Sequence, residues 1–188
     1  STACTHYFVE ARGRWVFRGH SNIGHTLVPF VGRGMHTSRS REKYEASLFD
    51  IFCREARSHL EFVPSDEWEW LSIAQQHGLP TRVLDWSHNP LVALYFAVER
   101  NEDKDGALFA LHSIRKANEQ VRSGSPFAIQ RPVKLYPNFV SPRIRTQEGL
   151  FIVCPNVERS LEQQLPEAWS IEQFAIPASA KANIRYEL

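Results

Sequence analysis

Gln75-Gln76-His77-Gly78-Leu79-Pro80-Thr81-Arg82-Val83-Leu84-Asp85-Trp86-Ser87 ends one element, turns, and begins another. A helix is predicted to stop at His77. Gly78 suits the left-handed backbone just past a helix end, and Pro80 follows where a helix cannot continue. Arg82 to Trp86 then reads as a short buried strand. Ser87 to Pro90 opens the next helix, with proline at its tolerated first turn. Asp85, Trp86 and Ser87 are thereby delivered where a strand ends beside a helix start, a place where α/β proteins commonly hold ligands.

Upstream, Trp15 to Gly19 predicts a short strand carrying Arg18, and Gly19 and His20 open a loop. Val28 to Ser40, with Arg33 and Arg39, reads as a solvated basic loop, phosphate contact being the second reading. Glu42 to Leu60 predicts a helix, with Tyr44, Leu48, Ile51, Phe52 and Leu60 near helical spacing. Ser65 or Asp66 caps a second helix, and Glu67 and Glu69 favour its first turn.

Downstream, the helix from Asn89-Pro90 to Val98 is expected to be largely buried. Gly106 to Leu111 reads as a central strand, and Ile114 to Arg122 as a short helix. Val133 to Tyr136 is a strand stopped by Pro137, Ser141 to Arg145 is a polar loop, and Leu150 to Cys154 is another strand. Leu161 to Leu165 makes a helical turn, and Ile171 to Ile176 and Ile184 to Leu188 are the expected last strands. The pattern is α+β, with helices mainly in the first half and strands mainly in the second.

At 188 residues the chain suits one domain, 1–188, and would be cramped as two. A net charge of +1 gives no global field toward nucleic acid or membrane, and no apolar run is long enough to span a bilayer. Cys4, Cys53 and Cys154 are odd in number and far apart, so a reducing, cytoplasmic setting is expected. Because the chain begins at Ser1, an excised domain or a tag remnant is expected.

The eight histidines are scattered, none pairs at the short spacing of a helical zinc site, and there is no CxxC; no metal is expected. G-x-S-x-G, Walker and GxGxxG patterns are missing too. What remains is Arg18 on its strand, the Asp85-Trp86-Ser87 turn, and Gln147-Glu148 just before a strand. Each also has a structural reading. Arg18 can pair with Asp85, Trp86 can be core, and Gln147-Glu148 can be a polar lead into the strand. Together they favour a site.

Phe17-Arg18-Gly19, the Gln76 to Ser87 run, Pro90-Leu91-Val92-Ala93-Leu94-Tyr95-Phe96-Ala97 and Gln147-Glu148-Gly149-Leu150-Phe151 resemble the FRG domain, named for its Phe-Arg-Gly motif and found in bacteria, archaea and phages. The resemblance covers about residues 15–155. His20 stands where that family often has glutamine. In order and pattern the chain also resembles, more distantly, ADP-ribosyltransferases of the arginine–serine–glutamate type.

That second resemblance implies helices packed on a mixed, split β-sheet and NAD as substrate. It gives catalytic parts to Arg18, Asp85, Gln147 and Glu148, and NAD-binding parts to Arg18, Gly19, His20, His77, Arg82, Trp86 and Ser87. If Gln147 faces the cleft in place of a glutamate, Asp85 becomes the better carboxylate. The expected function is ADP-ribosyl transfer to a protein or nucleic-acid target, in a toxin or phage-defence setting. The alternative is a non-catalytic module that binds a nucleotide or ADP-ribose.

Overall fold

The computed structural model describes residues 15–34, 40–113, 119–137 and 148–188. Its strands are β1 (Trp15–His20), β2 (Val83–Ser87), β3 (Gly106–His112), β4 (Val133–Leu135), β5 (Gly149–Val153) and β6 (Ser170–Ile176). The helices are α1 (Arg41–Ala56), α2 (Glu67–Gln76), α3 (Pro90–Val98), α4 (Glu119–Arg122) and α5 (Ala178–Glu187). The strands form one sheet in the order β4-β5-β2-β1-β3-β6.

Every described pairing is antiparallel, so the fold is α+β on a single antiparallel sheet, and the expected mixed, split sheet is corrected. The reason lies in the connections. The helices α1 and α2 lie between β1 and β2, and β2 returns against β1 rather than in the sense of a βαβ unit. β2 and β3 flank β1 and run in the same sense, so α3 crosses over β1 to join them. That crossing requires close approach. A Cβ on Gly19 would lie 1.8 Å from the Ala93 carbonyl oxygen.

Alternation along the strands divides the core. Val16, Leu84, Trp86, Phe109, Leu111, Leu150 and Ile152 pack on one face with Leu27, Leu161 and Trp169. On the other face, Val83, Phe151, Val153 and Leu135 meet Phe49 of α1 and Trp68, Leu71 and Ala74 of α2. Phe17 and Ala110 pack against Ala93 under α3, while Ala97, Val98 and Ile176 make a further small cluster with Ile184 of α5 beside it.

Local chemistry sets most boundaries. Asp66 caps α2 by accepting from the Glu69 N–H at 2.8 Å, and Asn89 caps α3 by accepting from Leu91 at 3.0 Å. Gly78 takes φ +81° just beyond the end of α2.

Three further expectations fail. Ile184 to Leu188 is helix rather than strand: Pro177 closes β6, and the Ala178-Ser179-Ala180-Lys181-Ala182 lead-in favours helix. Leu91 and Tyr95 of α3 are about half exposed, because only the Ala93–Ala97 side meets the sheet. Ile51 of α1 is exposed and Glu45 is buried, since Glu45 pairs with Arg82. Of the expected 114–122 helix only Glu119–Arg122 is described, and the Ser141–Arg145 loop lies outside the described residues.

Candidate functional site

A groove of about 340 Å³ runs between the C-terminal end of α2 and the helix α3, over β1, β2 and β5. Strand pairing explains the opening. β1 and β2 share one paired position, Phe17 with Ser87, and part beyond it. Arg18 occupies the parting. Its Nη1 donates to the backbone carbonyl of Asp85, where pairing with β1 has ended. The same Nη1 lies 4.0 Å from Asp85 Oδ2. Arg18's side chain is 17% exposed and Asp85's 63%, so the carboxylate faces solvent while the guanidinium stays at the floor.

Arg18 is braced from behind. His20, two residues on, shares its face of β1 and turns away from α3. His20 Nε2 accepts from Arg18 Nε at 3.0 Å, which leaves the Nδ1 proton for the His25 carbonyl at 3.1 Å. Burial, followed by the Arg18 charge, pushes the His20 pKa down to about 3, so the ring is a neutral acceptor. Burial also holds Arg18 below the ordinary arginine value, with Asp85 pulling the other way. Burial likewise holds Arg33 below the ordinary arginine value, with Asp85 pulling the other way.

Asp85 has a second partner. Gln75 Nε2 donates to Asp85 Oδ2 at 3.0 Å, and Gln75 Oε1 accepts the Thr81 hydroxyl. Ser87 Oγ accepts from the Asn89 N–H at 2.9 Å and helps open α3. Phe96, Val92 and Phe151 supply apolar wall.

The structure therefore brings Arg18, Gly19, Asp85, Trp86 and Ser87 to one groove. Trp86 is 3% exposed and packed in the core beneath it, and its Nε1 has no hydrogen-bond partner among the described residues. His20 stands behind Arg18 rather than in the groove. His77 is exposed past the end of α2, its ring 6.2 Å from that of Phe52, and does not border the groove. Arg82 is buried elsewhere, its donors taken by Glu45 and by the Phe127 and Pro155 carbonyls.

Glu148 is exposed at φ +46° and its carbonyl accepts from the His88 N–H at 3.1 Å. Gly149, Leu150 and Phe151 border the groove but Glu148 does not. Gln147 lies outside the described residues. Sequence reasoning missed Gln75, Gln76 and Phe96 as groove residues. Two amides ending an apolar helix were the available signal.

Among the described residues no three His, Cys, Asp or Glu side chains gather as a metal site. Burial pushes the Cys53 thiol up to about 11 and the Cys154 thiol up to about 12, so neither is a ready thiolate nucleophile. No helix among the described residues is long and apolar enough to cross a membrane.

The FRG domain family model matches residues 13–106, which takes in β1, the groove-forming turn and α3. The chain belongs to the FRG domain family. No curated protein and no solved structure matches it.

Proposed function

We propose that the groove binds NAD and that the protein is an NAD-dependent ADP-ribosyltransferase acting on a protein or nucleic-acid target. The observation that carries this reading is a guanidinium at the groove floor with a carboxylate 4.0 Å from it on the solvent side, and apolar wall beside them. A partly desolvated arginine suits the pyrophosphate. Phe96 offers a ring against nicotinamide. At about 340 Å³ the groove is near the lower end of ligand pockets, which run roughly 300–1,000 Å³, so the nicotinamide riboside half enters and the adenylate extends beyond its mouth.

In this reaction the bond from ribose C1′ to the nicotinamide nitrogen breaks. The electron pair leaves with nicotinamide, which becomes neutral, and positive charge develops at C1′. Asp85 stabilises that charge as carboxylates do in glycoside chemistry. The acceptor then attacks C1′, forms the new glycosidic bond and gives up its proton to water.

A second reading is a module that holds NAD or ADP-ribose without turnover. It is favoured by Glu148 standing outside the groove, where Asp85 is the carboxylate that borders it among the described residues. The test is nicotinamide release from NAD by the wild type and by Arg18→Ala, together with the melting shift on adding NAD. Release that vanishes in the variant supports the transferase. A melting shift with no release supports the binding module, and neither signal defeats both.

A further inference from the structure

The geometry points to Gln75 as a positioning residue for Asp85, locked in orientation by Thr81 so that Asp85 Oδ2 is occupied and Oδ1 is left to meet the ligand. This rests on the groove being the functional site, as proposed above.

The donors and acceptors around Gln75 allow one arrangement. Thr81 is fully buried, between the turn after α2 and the start of β2. Its Oγ1 accepts the Val83 N–H at 3.2 Å. A hydroxyl carries one proton, and here that proton goes to Gln75 Oε1. With its oxygen held by Thr81, the amide must present its NH₂ toward Asp85, and Nε2 reaches Oδ2 at 3.0 Å. The reverse flip would set an amide oxygen against a carboxylate oxygen, two acceptors with no proton between them.

Arg18 Nη1 approaches the same Oδ2 at 4.0 Å. Both neighbours therefore engage one oxygen of the carboxylate, which fixes its plane. The other oxygen, Oδ1, has no partner among the described residues and belongs to a side chain that borders the groove. An oxygen in that state takes a hydrogen-bond donor or a developing positive centre. A ribose 2′-hydroxyl or the C1′ of a breaking glycosidic bond fits that description.

The clamp acts through geometry rather than by touching the reacting atoms. A carboxylate free to rotate still carries its charge but spends less time aligned, and small misplacements of this kind cost about 10- to 100-fold in rate. NAD affinity depends mainly on the apolar walls and Arg18 and is expected to change less.

The test uses Gln75→Ala, Thr81→Val and Thr81→Ser, with two readouts. The first is the Gln75 side-chain amide pair in ¹H–¹⁵N spectra of the ligand-free protein, which needs no activity. Thr81→Val and Asp85→Ala are expected to move that pair, and Thr81→Ser to leave it in place. The second is nicotinamide release with NAD affinity measured separately. Gln75→Ala is expected to lower kcat by about 10- to 100-fold with NAD Kd changed less than about threefold, and Thr81→Ser to restore most of what Thr81→Val loses.

An amide pair indifferent to Thr81→Val and Asp85→Ala overturns the clamp. So does a Gln75→Ala variant that loses affinity and keeps kcat. If the wild type releases no nicotinamide, the transferase reading fails, and the spectra still decide the clamp.

Discussion

Arg82 and Glu45 form an ion pair in which neither side chain is more than 2% exposed, with Arg82 Nη2 2.8 Å from Glu45 Oε2. Arg82 Nε reaches the same oxygen at 3.0 Å, and Glu45 Oε1 accepts the Arg82 backbone N–H at 2.7 Å. The guanidinium also lies over the Phe127 ring, 4.9 Å from its centre. The pair fastens α1 to the strand that forms the groove floor. Glu45→Ala leaves a buried cation without its counter-charge and is expected to cost about 3–5 kcal/mol in urea unfolding. Replacing both residues with methionine is expected to cost much less, because no uncompensated charge is left. Equal losses in the two proteins would contradict that account.

Gly19→Ala tests the crossing of α3 over β1. The added methyl would sit 1.8 Å from the Ala93 carbonyl oxygen and 2.7 Å from the Ala97 nitrogen, both backbone atoms that cannot rotate aside. The helix must shift, at a cost of about 1–3 kcal/mol or more. Gly124→Ala is the control, since its nearest neighbour would be 3.7 Å away. A Gly19→Ala melting temperature equal to that of the control would mean that the helix does not ride on that glycine.

His20 gives the fold an acid-sensitive point. Its folded pKa of about 3 lies below the unfolded value near 6.5, so between these values the unfolded chain binds the extra proton. Stability from this group is complete above about pH 6.5 and falls as pH drops toward 3. From pH 7 to pH 4.5 the loss is about 2–3 kcal/mol. His20→Gln keeps an acceptor for Arg18 Nε without a titrating ring. Its unfolding free energy should fall less over that interval, and parallel pH curves for the two proteins would exclude His20 as the source.

What could be read from the sequence was mostly punctuation. Asp66, Gly78 and Asn89 act on backbone within a few residues, so the ends of α2 and the start of α3 were predictable from them. Glu45 was not, because its partner Arg82 is 37 residues away and a glutamate on a helix reads as solvated. The order of strands depends on how α3 crosses β1, which no local pattern states. Ile184 and Tyr186 suggested strand, but the alanines before them and the contacts of Lys181 decide for helix. The Phe17-Arg18-Gly19 and Asp85-Trp86-Ser87 motifs both border the groove. Arg82, inside the same stretch, turns to the core, because the side a residue faces depends on a strand register that no local pattern states.

Lys181 tests the attachment of α5. Its side chain is 1% exposed, and Nζ donates to the carbonyls of Ser21, Arg100 and Asn101 at 2.7, 3.1 and 2.9 Å. An ammonium has three protons, and each has a carbonyl. Lys181→Met removes them all and leaves the carbonyls without that donor, at about 1–3 kcal/mol for each buried group left unpaired. Hydrogen exchange should quicken in α5 and in the turn at Asn101 before it does in β2. Uniform quickening would show instead that the whole domain depends on this lysine.

Arg18→Lys separates charge from shape at the groove floor. Arginine spans two acceptors at once, His20 Nε2 through Nε and the Asp85 carbonyl through Nη1. Lysine has one compact ammonium and cannot hold the planar fork that reaches both. The positive charge survives while its placement does not. The melting temperature without ligand should fall only slightly, whereas, on the proposal that the groove binds NAD, the melting shift on adding NAD should shrink to less than half of the wild-type shift. A shift that stays intact in Arg18→Lys but disappears in Arg18→Ala would mean that the groove needs a positive charge there and not the fork.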